Sequence, residues 1–229
     1  MIFLDRREAG RRLATRIEGL RIKRPVVVAL PPGGLRIGYE IATRLKASMD
    51  ILAAEEVLIP GSAGATVGAV ADGRFYPNET TIRRYRVSRE YAERLASIEE
   101  HLEELLEHAC RHGVPPVDLT GCQVILVDDG STSAAAADAA VQTVKARDAA
   151  GVMYASPIIS PAVFTRLVEQ VELVTLCEPG DYRSMRVWDE GFEQTTENEA
   201  AALIARTRDA WEAEPNRLSS APPAAGASA

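Results

Sequence analysis

The sequence predicts an α/β fold with a mainly parallel central sheet and helices on both faces. Three observations carry this. Short, almost wholly apolar runs, Pro25 to Leu30 and Val124 to Val127, have the composition of strands buried on both faces. Segments with apolar residues at helical spacing follow each of them. Abrupt loops of small residues, Pro31-Pro32-Gly33-Gly34 and Gly130 to Ala136, join each strand to its helix, as in repeated βα units. The 229 residues are enough for one large domain with a core that needs no disulfide or metal staple.

From the N-terminus, Asp5 and Glu8 have capping-box spacing, and Ala9, Leu13, Ile17 and Leu20 follow as one apolar stripe. A helix is predicted over 6–20, with Arg7, Arg11, Arg12 and Arg16 on its solvated faces. The strand at 25–30 leads through Gly33-Gly34 into a helix carrying Leu35, Tyr39, Ala42 and Leu45. Ile51 to Ala54 reads as a second strand, with Val57-Leu58-Ile59-Pro60 close behind. The glycines between Gly61 and Gly73 suit a loop or a short hairpin, and Asn78 to Thr81 a turn.

Ser88 is an N-cap candidate for a long helix over about 88–112. Its residues Tyr91, Leu95, Ile98, Leu102, Leu105, Ala109 and His112 step by alternating fours and threes. That seam is expected to be buried, against the domain or across a homodimer. The strand Val124–Val127 precedes Asp128-Asp129 and an Ala-rich helix from Ala134 to about Arg147. A strand over Gly151 to Ser156, a helix opened by Ser160-Pro161, a strand over Val171 to Leu176 and a capped helix from Thr196 complete the alternation. Residues 1–205 are read as one unit. Residues 206–229 are read as a helix end and a disordered Ala/Pro/Ser-rich tail.

Composition narrows the function classes. Twenty-six basic against thirty-three acidic residues give a net charge of −7, and aromatics are 5%. Neither the bulk field nor the stacking surface of a nucleic-acid binder is present. No apolar run approaches the ~20 residues of a membrane-spanning helix. Cys110, Cys122 and Cys177 have no zinc or disulfide spacing, in keeping with a cytoplasmic protein. His108 and His112 are four apart but lack an evident third ligand, so no metal site is expected there.

Chemistry is expected at the strand ends. The loop Gly130-Ser131-Thr132-Ser133-Ala134-Ala135-Ala136 leads into a helix N-terminus, where backbone N–H groups can hold a phosphate. Asp128 and Asp129 would repel that phosphate but suit ribose hydroxyls or a divalent cation. Pro32, Gly33 and Gly34 would let backbone approach a second anion closely. Together these describe a site for a phosphorylated sugar or nucleotide.

The run Val124 to Asp129 with its small-residue loop resembles the phosphoribosyl-pyrophosphate (PRPP) motif of type I phosphoribosyltransferases. Four further segments are similar to an uncharacterised branch of that family. They are Phe3 to Ala14, Ala29 to Gly34, Ile59-Pro60-Gly61 with Gly68 to Ala71, and Trp188 to Thr195. The resemblance implies the family's fold with a long helix and a small closing segment. It also implies that Asp128 and Asp129 act on the ribose hydroxyls as the catalytic pair. Ser131 to Ala136 would hold the 5′-phosphate, and the first loop would meet pyrophosphate with Mg²⁺.

The sequence departs from the branch at several points. Pro32 stands where the branch has Arg, and Glu55-Glu56 where it has Arg-Lys. Thr132 to Ala136 replaces Ala-Thr-Gly-Ala-Thr. Charge is reversed near the expected pyrophosphate, and hydroxyl and glycine positions are lost from the phosphate loop. The expectation is therefore a binding or regulatory protein with a weakened phosphate or nucleotide pocket. The alternative is an active enzyme that uses Mg²⁺ and transfers ribose 5-phosphate from PRPP to an unidentified nitrogenous base. A two-component receiver domain is a third reading, since Asp-Asp after an apolar strand occurs there too.

Overall fold

The computed structural model describes residues 3–20, 22–130, 132–177 and 195–212. Its centre is a five-stranded parallel sheet in the order β2-β1-β6-β7-β8. The strands are β1 (Pro25–Ala29), β2 (Ser48–Ile51), β6 (Gln123–Val127), β7 (Gly151–Ser156) and β8 (Glu172–Thr175). A separate antiparallel sheet holds β3 (Ala54–Leu58), β4 (Thr66–Ala71) and β5 (Arg74–Pro77).

The apolar runs are continuous because both faces of the parallel sheet are covered. Val27, Ala29, Ile125 and Val127 face α1 (Arg6–Glu18), α2 (Gly34–Leu45) and α7 (Glu197–Glu212), packing with Leu13, Ile17, Ile37, Ile41 and Ile204. Val26, Val28, Val124 and Leu126 face α5 (Ala134–Ala146) and α6 (Pro161–Leu167), among Ala137, Val141, Val144 and Val163. β6 lies in the interior, paired with β1 and β7 in parallel, so its end sits at the middle of the sheet.

Capping follows the sequence signals. The Asp5 carboxylate accepts from the Glu8 N–H at 2.7 Å to start α1. Ser88 and Ser160 start α4 (Arg89–Arg111) and α6 in the same way.

Two local readings change, and one left open is decided. The second strand is Ser48–Ile51 rather than 51–54. Its polar Ser48 and Asp50 hide it from a hydrophobic scan, yet both are buried, because Asp50 faces Arg111 of α4. Asn78 opens a helix, α3 (Glu79–Tyr85), instead of a turn, by accepting from the Thr81 N–H. The glycine-rich stretch forms the β4–β5 hairpin, closed by Asp72-Gly73. Both residues have positive φ, as a two-residue hairpin turn requires.

The α4 seam is the largest difference. The helix packs on the small sheet through Ala92 and Ala96, against Val57, Val67 and Val70. Small side chains bring the helix close and take the inward face. Leu95 is half-buried, while Tyr91, Ile98, Leu102 and Leu105 are left in solvent. Burial of the seam against the domain, as expected from its spacing, does not occur.

Farther along α4, buried Glu103 clasps the hairpin turn. Its carboxylate accepts from the Asp72 N–H and, at 3.2 Å, from the Gly73 N–H. Burial raises its pKa to about 7 despite those two hydrogen bonds. With the folded pKa above the unfolded one, this contribution is full below about 4.5. It is lost as pH rises through about 7. Urea midpoints are expected to fall between pH 5 and 8, and Glu103→Gln to flatten that slope. An unchanged slope in the variant would assign the pH dependence to other groups.

Among the described residues no helix is long and apolar enough to cross a membrane, and no group of three or more His, Cys, Asp or Glu could hold a metal ion. His101, His108 and His112 are all exposed. The closing segment from Trp188 to Gln194 and the tail 213–229 lie outside the described residues; Thr195 is described and buried.

Candidate functional site

The parallel sheet brings the two expected loops together at the ends of β1 and β6. The Leu30 N–H donates to the Val127 carbonyl at 2.8 Å, which holds the Pro31-Pro32-Gly33-Gly34 loop against the acid pair. The glycines are needed for that approach. A Cβ on Gly33 would fall onto the Asp129 carboxylate, and one on Gly34 onto the Val127 carbonyl oxygen. Pro32 is exposed at the rim.

Asp128 and Asp129 are both buried but do different things. Asp128 turns inward. Its Oδ2 accepts from the Tyr154 hydroxyl at 2.9 Å and from the Gly130 N–H at 3.0 Å, and its Oδ1 from the Thr132 hydroxyl at 2.6 Å. Burial, and then the neighbouring Asp129 charge, push its pKa up to about 6. The donors from Thr132, Tyr154 and Gly130 oppose that rise. Burial and the Asp128 charge in turn hold the Tyr154 phenol protonated well beyond its usual range. Asp129 is held by Arg6 at the start of α1, whose Nε and Nη2 donate to Oδ2 at 3.1 and 2.8 Å.

The following loop runs from Gly130 to Ala136. Gly130 has φ of 95° and lies against the Ile158 carbonyl, where a side chain would collide. Ser131 lies outside the described residues. Thr132 is drawn to Asp128, and Ser133 caps α5 by accepting from the Ala136 N–H at 3.2 Å. Ala134 and Ala135 are half-buried at the first turn of α5. Ala136 is buried with Ala139 against Ala69 and Ala71 of β4. The alanine content of α5 therefore has a packing reason: it seats the small sheet on the helix.

Two residues of this network escaped the sequence reading. Arg6 is 123 positions from Asp129, and Tyr154 is 26 positions from Asp128. A tyrosine inside an otherwise apolar strand was the available signal for the second; nothing local marked the first. Glu55 and Glu56 lie on β3, where Glu55 is raised in pKa by burial and then by Glu99 of α4 and by Glu56.

No family model matches the chain. A Mycobacterium tuberculosis protein named "Putative phosphoribosyl transferase", found in strains H37Rv and CDC 1551, is 33% identical over 218 residues, 93% of this chain. The solved structure of TT1426 from Thermus thermophilus superposes with a TM-score of 0.77 at 30% identity, over 90% of this chain and 99% of that one. The chain belongs to the type I phosphoribosyltransferase family. It spans only 48% of the length of its M. tuberculosis relatives. Family membership sets the receiver reading aside, and the acid pair fits that decision: β7 ends in Ser156, without the further acid a receiver pocket needs. In this member of the family the PRPP-motif strand is the central β6, and the loop after β1 closes directly over its end.

Proposed function

We propose that this chain is a phosphoribosyltransferase-fold binding or regulatory protein whose pocket at the end of β6 takes a phosphorylated sugar or nucleotide. The observation that carries the reading is the engagement of the acid pair. Asp128 already accepts four hydrogen bonds from within the protein, and Asp129 is paired with Arg6. A ribose diol would have to displace these partners. Each charge-assisted hydrogen bond given up is worth about 1.5–3 kcal/mol, which offsets what the diol gains in its place, and ~1.4 kcal/mol is tenfold in affinity. The N-terminus of α5, with the Ser133 hydroxyl beside it, supports retention of a phosphate-sized anion.

The same engagement argues against a resident divalent cation on the acid pair, since both Asp128 oxygens and one Asp129 oxygen already take donors. Any Mg²⁺ would arrive on the pyrophosphate of a substrate.

Calorimetric titration tests the reading. Inorganic phosphate or a nucleoside monophosphate is expected to bind detectably, and PRPP with Mg²⁺ no more tightly. Low-micromolar PRPP binding with pyrophosphate release in the presence of a purine or pyrimidine base would establish the enzyme instead.

A further inference from the structure

Asp129 is covered by two unlike pieces of the fold. On one side lies the first loop, so close that a Cβ on Gly33 would fall onto the carboxylate. Main-chain bonds pin that loop. The Leu30 N–H donates to the Val127 carbonyl and the Gly34 N–H to the Leu30 carbonyl, both at 2.8 Å. On the other side lies Arg6, whose Nε and Nη2 converge on one oxygen, Oδ2. The Arg6 side chain is 14% exposed and that of Asp129 1%, so the guanidinium stands between the carboxylate and solvent.

The start of α1 fixes where Arg6 projects from. Asp5 caps the helix, Glu8 accepts from the Leu4 N–H at 2.7 Å, and Phe3 is buried with Ala9, Ile158 and Cys177. Arg6 is the first residue of the helix, on anchored backbone, and its own side-chain torsions are the freedom this cover has. Neither Pro31 to Gly34 nor Gly130 to Ala136 contains Lys or Arg. Arg36, in the first turn of α2, is tied to Glu199 at 2.7 Å. Arg6 is the guanidinium placed directly on the acid pair, and Asp129 neutralises it there.

We propose that Arg6 sets the ligand selectivity of this pocket: by occupying Asp129 it makes the pocket blind to sugar hydroxyls, so that a nucleotide is selected by its phosphate and not by its ribose. The proposal rests on the reading of the β6 end as a phosphate or nucleotide pocket. Asp128 is turned inward by Gly130, Thr132 and Tyr154. For Asp129 the competition is unequal. A ribose hydroxyl is a neutral donor offering one bond. Arg6 offers two from a full charge, already positioned by α1. A diol that displaced it would also leave a partly buried guanidinium without its carboxylate.

Calorimetric titration with adenosine 5′-monophosphate (AMP) and its 2′,3′-dideoxy analogue tests the proposal. The unmodified chain is expected to bind the two within about twofold of each other. In Arg6→Met, Asp129 is released to the ribose, and AMP should be preferred by roughly 10- to 100-fold, the worth of one hydrogen bond to a charged group. Adding Asp129→Asn to that variant should cut the preference back to about a few-fold, since the acceptor is then neutral. Arg6→Lys keeps a cation on the buried carboxylate, which protects the fold, but loses the two-bond grip. It should show the same preference in smaller measure. An Arg6 with a structural role alone would weaken both ligands alike when replaced. The proposal is overturned by a tenfold or greater preference for AMP in the unmodified chain, by an unchanged ratio in the Arg6 variants that fold, or by a preference that survives Asp129→Asn. Each of these leaves the phosphate pocket standing. Failure of the unmodified chain to bind phosphate would instead remove the pocket, and this proposal with it.

Discussion

Asp50→Ala is expected to destabilise the fold by about 3–5 kcal/mol, the range for removing one partner of a buried ion pair. Asp50 sits on β2 under α4, and both of its oxygens are in use. Arg111 Nη1 donates to Oδ1, as does the Ile51 N–H at 2.9 Å. The Val117 N–H donates to Oδ2 at 2.7 Å, and Arg208 of α7 approaches to 3.5 Å. Arg111 also donates to the Ile51 carbonyl at 2.7 Å and to Glu107 at 3.2 Å. One carboxylate thus ties β2, α4, α7 and the segment leading to β6. Its loss leaves a buried guanidinium with Glu107 as its remaining carboxylate partner. For a chain of this size the melting temperature should fall by roughly 6–20 °C. Urea denaturation of the variant measures the effect. Arg111→Met in the same chain should recover part of it, since the uncompensated charge goes with the arginine. A loss below about 1 kcal/mol would mean that water or a rearranged Glu107 carries the charge, contrary to this account.

That network also explains which parts of the fold could be read in advance. β1 and β6 announce themselves because both of their faces are apolar, so Val26 to Ala29 and Val124 to Val127 need no partner to be recognised. β2 does not, since its buried Asp50 is meaningful only once Arg111 is known to lie above it, 61 positions away. The long helix was visible in its cap and its length, but its burial was not. A heptad seam states that one face is apolar; it does not state which face meets the sheet. The choice fell to Ala92 and Ala96, which allow closer approach than leucines do.

The candidate site divides in the same way. Asp128, Asp129 and the glycines of the first loop are adjacent to strand ends and were legible from local sequence alone. Whether those carboxylates face a ligand depends on Arg6 and Tyr154, which reach them through tertiary structure. Local sequence can therefore identify the motif and still leave its engagement open. The alanines of the loop have a structural reason as well: Ala136 provides the flat surface on which β4 packs, so its presence does not by itself decide how the loop treats a phosphate.

The two glycines of the first loop separate the architecture of the site from its chemistry. Gly34→Ala is expected to cost about 2–3 kcal/mol net and to abolish measurable phosphate binding. Alanine at this first helical position would by itself gain about 1 kcal/mol in helix propensity. The added methyl, however, falls onto the Val127 carbonyl oxygen, which also accepts the Leu30 N–H. Val127 belongs to the central strand, with neighbours on both sides, so the backbone it meets cannot retreat. The loop must lift away instead, taking Gly33 from the acid pair. Gly33→Ala meets something softer, the end of the Asp129 side chain, which can rotate at the expense of its bond to Arg6. Its stability loss should be the smaller of the two. If the proposed pocket is correct, phosphate binding at α5 should survive it, because the Asp128 contacts to Thr132 and Gly130 are untouched. Urea denaturation and phosphate titration of both variants give the comparison. Equal losses in the two, or phosphate binding that survives Gly34→Ala unchanged, would show that the first loop does not shape the pocket.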